Sequence, residues 1–332
     1  MSASPVLSVL DTHPVFEGIP AQTSIRNGLE LALAAEKLGY HRYWVAEHHN
    51  TPGLASSAPT VLIGRVAAAT ERIRVGSGGV MLPNHPPLVV AEQFATLEVF
   101  HPGRIDLGVG RAPGTDPLTA GALRRSSDPL SAQDFPEQVK ELEYYLDGGK
   151  SPRGPGMEIR AVPEIPARPP VWMLGSSPSS GLLAAGRGMP YAYANHLRPD
   201  AAEAATRAYR ENFRPSEAFP EPYVIVTAFL VAADTDEAAA HQSGSLAHAL
   251  VSGRSNPFAL FPQPDDAARR PLSGADLQIV QSSFAGQLIG SPETVKAQLA
   301  NLVDRTGADE VMAVAPIADH EARVHAYEIL AR

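Results

Sequence analysis

The chain has 332 residues, with 36 acidic and 27 basic side chains for a formal charge of −9, and no cysteine. At 44% apolar and 19% charged it can build a large packed core, which excludes a disordered chain. The missing thiols exclude a disulfide framework, a zinc knuckle, a thiolate nucleophile and an iron–sulfur site, and an acidic balance without a basic stripe argues against nucleic acid as a partner.

Residues 1–10 lack the basic region, apolar run and small-residue cleavage site of a signal peptide. No stretch reaches the roughly 20 apolar residues that span a membrane. The cytoplasm is therefore the expected setting. Val6–Leu10 reads as a first strand. A helix capped by Thr23 or Ser24 follows, with Ile25, Leu29, Ala32 and Leu33 at helical spacing and Gly39 as its stop. Tyr43–Ala46 is a second strand, and Pro59 opens a second helix through Ala69. Ile73–Val75 is a third strand, Leu88–Phe100 a helix, and Ile105–Val109 a fourth strand. These strands are apolar on both faces, as in a parallel sheet covered by helices.

Residues 113–132 read as a polar loop. Pro136–Leu146 is helical, and residues 148–170 read as a loop or small hairpin. Strand and helix then alternate: Val171–Leu174, Ser179–Arg187, Tyr191–Ala194, Asp200–Phe213 and Val224–Ala232. Helical pieces around 237–251 lead into a stretch, to about residue 285, whose pattern fits no element. Pro292–Thr306, Glu310–Val314 and His320–Leu330 close the chain. Eight strand candidates, each followed by helix, predict an α/β fold of the closed (β/α)8 type in one domain over 1–332, with an insertion at about 236–285. An open doubly wound sheet is the rival. Gly108, Gly110 and Gly114 are spaced G-x-G-x-x-x-G, which is not the dinucleotide fingerprint.

In such a barrel function gathers at the C-terminal strand ends. The second strand leads into Glu47-His48-His49, the third into Ser77-Gly78-Gly79, the fourth into Gly110-Arg111, the fifth into Gly175-Ser176-Ser177-Pro178-Ser179-Ser180, and the sixth into Asn195-His196. Adjacent histidines at a strand end point to opposite sides, so they do not share an ion. No metal is expected. One histidine at the mouth suits proton or hydrogen-bond work near neutral pH. Gly78-Gly79 permits either close approach of a flat ligand or a tight turn. The serines at the start of a helix offer donors to an anion, or simply cap that helix. Arg111 on the neighbouring strand end tips the reading toward a phosphate-bearing cofactor.

Five stretches carry a resemblance: Gly39–His49 (GYHRYWVAEHH), Arg74–Pro87 (RVGSGGVMLPNHPP), His101–Arg111 (HPGRIDLGVGR), Gly290–Glu293 and Ala308–Glu310. In this order, over residues 6–330, the chain resembles the bacterial luciferase-like flavin-dependent monooxygenases. It is closest to their single-chain subfamily, some members of which oxygenate secondary metabolites such as aromatic polyketides. The resemblance implies FMN, used as FMNH2 from a separate flavin reductase, with oxygen as co-substrate and a homodimer. It implies a non-prolyl cis peptide after the third strand, at Gly78-Gly79, beneath the flavin. It maps the flavin phosphate onto Arg111, Ser176 and Ser179, with Gly175 and Ser177 in the same corner, and the family's active-site histidine onto His48. Luciferase has a cysteine where Gly110 stands and an acid where Gly175 stands, and its long lid finds no match in 241–285. These departures point away from light emission. The expected activity is oxygenation of a small organic substrate, with the Asp11–Phe16 loop and residues 241–285 shaping its pocket. The rivals are a deazaflavin (F420)-dependent oxidoreductase and a non-catalytic flavin-binding protein.

Overall fold

A computed structural model describes residues 5–112, 114–124, 134–149 and 159–332. The chain order is β1 (Val6–Asp11), α1 (Ala21–Lys37), β2 (Arg42–Val45), α2 (Pro59–Ala69), β3 (Arg74–Met81), α3 (Pro87–Phe100), β4 (Ile105–Gly110), α4 (Pro117–Arg124) and α5 (Phe135–Leu146). It continues with β5 (Val171–Gly175), α6 (Pro178–Gly186), β6 (Tyr191–Tyr193), α7 (Ala202–Asn212), β7 (Val224–Ala232) and α8 (Asp236–Ser252). The last elements are α9 (Pro264–Arg269), α10 (Gly274–Phe284), β8 (Leu288–Gly290), α11 (Pro292–Thr306), β9 (Glu310–Val314) and α12 (His320–Leu330).

The strands pair in parallel in the order β6-β5-β4-β3-β2-β1-β9-β7, and a β6–β7 pairing closes the ring. The molecule is thus a closed eight-stranded (β/α)8 barrel, as the strand count predicts. A ninth strand, β8, escapes the sequence pattern because Leu288 and Ile289 are its only apolar residues, set between Gln287 and Gly290. It pairs with Leu230–Ala232, beyond the part of β7 that pairs with β6 and β9. No helix among the described residues is long and apolar enough to cross a membrane.

Local expectations fare unevenly. Helix α1 starts after Pro20, so neither Thr23 nor Ser24 caps it. Ser24 lies in the first turn and donates to the Pro14 carbonyl at 2.8 Å, tying the helix to the loop after β1. Gly39, at φ +82°, ends the segment as expected. Helix α4 occupies part of the stretch read as a loop, whose residues 113 and 125–133 lie outside the described residues. The described residues 159–170 hold neither helix nor strand, and residues 150–158, where a hairpin was the alternative, lie outside the description.

Two features frame the mouth. The insertion sends a strap over the β1 loop: Phe261 donates to the Val15 carbonyl at 3.0 Å, Glu17 donates to the Phe261 carbonyl at 2.8 Å, and the Phe16 and Phe261 rings lie 5.2 Å apart. The two segments expected to shape a pocket do meet here. The side chains of Asp11 and His13 turn away from the mouth, however. Asp11 accepts from Arg323 (2.7 Å) and Tyr43 (2.5 Å), and a side chain at Gly28 on α1 would collide with His13. They anchor α1 and α12 rather than face a ligand. The opposite end of the barrel is closed by a buried ionic floor around Arg42, Asp106 and Glu310.

Candidate active site at the barrel mouth

Glu47, His48 and His49 follow the end of β2 at Val45, and of the two histidines it is His49 that bonds to Glu47. Glu47 is fully buried. Its Oε1 accepts from His49 Nε2 and His85 Nε2, both at 2.8 Å, and its Oε2 accepts from the Met81 N–H at 3.1 Å. Burial acts to raise the Glu47 carboxyl, yet these bonds from His85, His49 and Met81 hold it below the usual range. Ligand atoms of Glu47, His49 and His85 lie within 4.8 Å of one another, a grouping that spacing alone does not reveal because His85 arrives from β3. With each histidine donating to Glu47, the trio acts as a clamp joining the ends of β2 and β3.

His48 takes no part in that clamp. Its Nδ1 is sealed from solvent and has no hydrogen-bond partner among the described residues. Burial lowers its pKa to about 4, with neighbouring Glu47 opposing the shift and His49 adding to it. Across the mouth stands His196, which the sequence places at a strand end without a role. Burial lowers it to about 3, and the charge of His48 adds to the effect. Its Nδ1 lies 2.5 Å from Thr227 Oγ1, and its ring packs edge-on to Phe229 at 5.3 Å. Thr227 and Phe229 are inward positions of β7 that strand periodicity implies but to which no chemistry could be attached from sequence.

Both imidazoles are neutral at pH 7, which has a consequence for stability. The unfolded chain takes up protons as the pH falls through about 6.5, while the folded chain refuses them at these two positions until about 4 and about 3. Stability is therefore lost as the pH drops below 6.5, by about 1.4 kcal/mol per pH unit for each such histidine. Urea unfolding between pH 7 and pH 4.5 is expected to show a shallower loss in the double variant His48→Asn/His196→Asn than in the unaltered protein. Equal slopes would mean that both rings are freely hydrated.

Gly78 and Gly79 lie within β3, not after it, because the strand runs on to Met81. The peptide between them is cis, at a register shift against β4 between Ser77 and Val80. A Cβ on Gly78 would come 2.5 Å from Leu10 Cδ1, and one on Gly79 would come 2.8 Å from the Gly108 carbonyl oxygen. Packing of the barrel wall accounts for both glycines without a ligand.

The phosphate corner divides. Gly175 is glycine because a Cβ there would strike the Ser180 side chain at 2.1–2.3 Å. Ser177 caps α6 in a capping box with Ser180, the structural role weighed against anion binding. Its hydroxyl also lies 2.9 Å from Ser179 Oγ. Pro178 has no N–H, and the Ser180 and Gly181 N–H groups are claimed by Ser177. Among the described residues this leaves the Ser179 N–H and the Ser176 hydroxyl unclaimed. Arg111 is exposed at the end of β4, next to β5, and forms no ion pair with any described residue. The surface salt bridge that would have explained it is absent from the described residues. A guanidinium without an ion pair among the described residues, on the strand next to unclaimed donors at a helix start, suits a phosphate monoester.

A barrel whose polar groups gather at its C-terminal mouth, with an orphaned histidine nitrogen and an anion corner, defines an enzyme architecture. The sequence profile of luciferase-like monooxygenases matches residues 7–310, and the chain belongs to that family. It is 44% identical to a luciferase-like monooxygenase of Escherichia coli (strain K12), over 97% of this chain and 95% of that one. It is 32% identical to the N-acetyl-S-alkylcysteine monooxygenase of Bacillus subtilis (strain 168), over 98% and 96%. The solved structure of apo-MsnO8 superposes with a TM-score of 0.89 at 38% identity, covering 98% of this chain and 96% of that one. The fold alone is shared with a 3,6-diketocamphane monooxygenase constituent solved with FMN (TM-score 0.73, 18% identity) and an F420-dependent secondary alcohol dehydrogenase (0.72, 15%).

Proposed function

We propose that the protein is the oxygenase component of a two-component system that takes FMNH2 from a separate flavin reductase and inserts one atom of O2 into a small organic substrate, an aromatic polyketide or other secondary metabolite. The proposal includes a cytoplasmic homodimer. Reduced FMN, when bound, supplies the electrons that activate oxygen. The observation that carries the reading is His48 at the mouth, outside the Glu47 clamp and held neutral by burial, with Arg111, exposed and in no ion pair with any described residue, within the same ring of strand ends.

Each residue has a separable task. Arg111, the Ser176 hydroxyl and the Ser179 N–H hold the phosphate, and Ser177 keeps the helix start in shape. The β3 segment at Gly78 and Gly79 forms the wall. His48, neutral at working pH, holds a hydrogen bond or proton at the reacting centre. The strap over Phe16 keeps water out.

The test is anaerobic titration with FMNH2, then rapid mixing with oxygenated buffer. FMNH2 reoxidising much more slowly on the protein than free in solution supports the reading. Reoxidation at the free rate, together with binding of F420 instead, overturns it, and tight retention of oxidised flavin without turnover points to a binding protein. Arg111→Ala is expected to weaken FMNH2 binding by about 10- to 100-fold, the worth of a charge-assisted contact. Riboflavin, which lacks the phosphate, should bind both forms equally.

A further inference from the structure

We propose that His196 is a second substrate-contacting residue, and that its Nε2 is a fixed hydrogen-bond acceptor selecting aromatic substrates that present an O–H or N–H donor. The inference rests on the reading of the mouth as an oxygenase site and adds the chemistry of the molecule that enters it.

The argument starts from the tautomer. The Thr227 hydroxyl has one proton and two neighbours, the Tyr193 carbonyl at 3.2 Å and Nδ1 of His196 at 2.5 Å, and we assign that proton to the carbonyl, which has none of its own to give. With that assignment the Thr227 oxygen accepts from His196, and Nδ1 carries the imidazole proton. A neutral imidazole has one N–H, so Nε2 is the bare lone pair. Among the described residues Nε2 has no partner, and unlike Nδ1 of His48 it is not sealed.

The ring is also held still. The Asn195 side chain donates to the Gly286 carbonyl at 3.1 Å. Gln287, 1% exposed, accepts from the Phe229 N–H at 2.8 Å and donates to the Asn195 carbonyl at 3.2 Å. These bonds join the ends of β6 and β7 to the segment just before β8. The acceptor is therefore set before any ligand arrives, which lowers the ordering cost of using it. Phe229, packed against His196, supplies an apolar face beside the acceptor. A polar site of this kind rejects an analogue that lacks the matching donor, because the buried acceptor is then left unpaired.

Equilibrium binding of 1-naphthol and its methyl ether, 1-methoxynaphthalene, tests the proposal without flavin. The unaltered protein is expected to prefer the naphthol by about tenfold or more. His196→Asn keeps a donor toward Thr227 but has no group at Nε2, and it should bind both probes alike. His196→Gln, which restores an acceptor further out, should regain part of the preference. In 15N-histidine-labelled protein, His196 should appear as the Nδ1–H form, with the Nε2 signal moving on addition of the naphthol and not of the ether. A His196 protonated at Nε2, an equal affinity for the two probes, or a preference that survives in His196→Asn would overturn the proposal. FMNH2 titration of the same variants should match the unaltered protein. If the unaltered protein fails to bind FMNH2 yet discriminates the probes through His196, the oxygenase reading falls and this one stands.

Discussion

Replacing His48 with alanine is expected to reduce coupled product formation by about 10²- to 10⁴-fold, the usual contribution of a positioned acid or base. Oxygen uptake should continue, with the lost product appearing as hydrogen peroxide. The expectation follows from the geometry: His48 is outside the Glu47 clamp, its Nδ1 has no protein partner, and burial keeps it neutral with a pKa of about 4. The proposed phosphate contacts lie at other strand ends, so FMNH2 affinity should change little. Product and peroxide are measured together under single-turnover conditions. Unchanged coupling in His48→Ala would remove His48 from the mechanism. His49→Ala is the informative comparison. It breaks one bond of the clamp and should lower stability as well as activity, because Glu47 is then a buried carboxylate with fewer donors.

The largest stability effect is expected at the other end of the barrel, for Arg42→Met, at about 3–5 kcal/mol. Arg42 donates from Nε to both Glu310 oxygens at 2.9 and 3.0 Å and from Nη1 to Asp106 at 2.9 Å, and its guanidinium lies 4.5 Å from the Trp172 ring centre. Asp106 also accepts from Trp44 at 3.1 Å and from Arg74, and Glu310 from Tyr223 at 2.9 Å. Both carboxylates are fully buried. Removing the central cation leaves Glu310 without a positive partner, while the neutral donors remain. Urea denaturation measures the loss. Arg42→Met combined with Glu310→Gln should recover part of it, since removing both charges spares the uncompensated one. A loss under about 1 kcal/mol would mean that water reaches the floor.

The eight barrel strands are legible from the chain because a strand covered on both faces must be apolar throughout, and Val171–Leu174 or Val224–Ala232 has no other way to be read. Pro59, Pro292 and Gly39 mark helix limits for the same local reason: each restricts or frees the backbone at its own position. Strand β8 is different. Two apolar residues between Gln287 and Gly290 carry no pattern, and Leu288–Gly290 is a strand because the far end of β7 offers it a free edge. The start of α1 likewise depended on Ser24 finding the Pro14 carbonyl rather than a cap.

The site divides along the same line. Glu47-His48-His49, Gly78-Gly79 and Arg111 stand out in the sequence because each is an unusual run at the end of an apolar one. The contacts around the site come mostly from residues that are distant in the chain. Gly79 meets Gly108, Gly175 meets Ser180, Glu47 meets His85, and His196 meets Thr227 under the influence of His48. Hydrogen bonding and burial depend on distance in space: pairing of β2, β3 and β4 brings Glu47 to His85 and Gly79 to Gly108, and the β6–β7 pairing that closes the ring brings His196 to Thr227. The amino-acid sequence by itself therefore determined the barrel and the candidates at its mouth. Only the tertiary structure decided which histidine at the mouth stands outside the Glu47 clamp, which serine is merely a cap, and which side chain stands opposite His48.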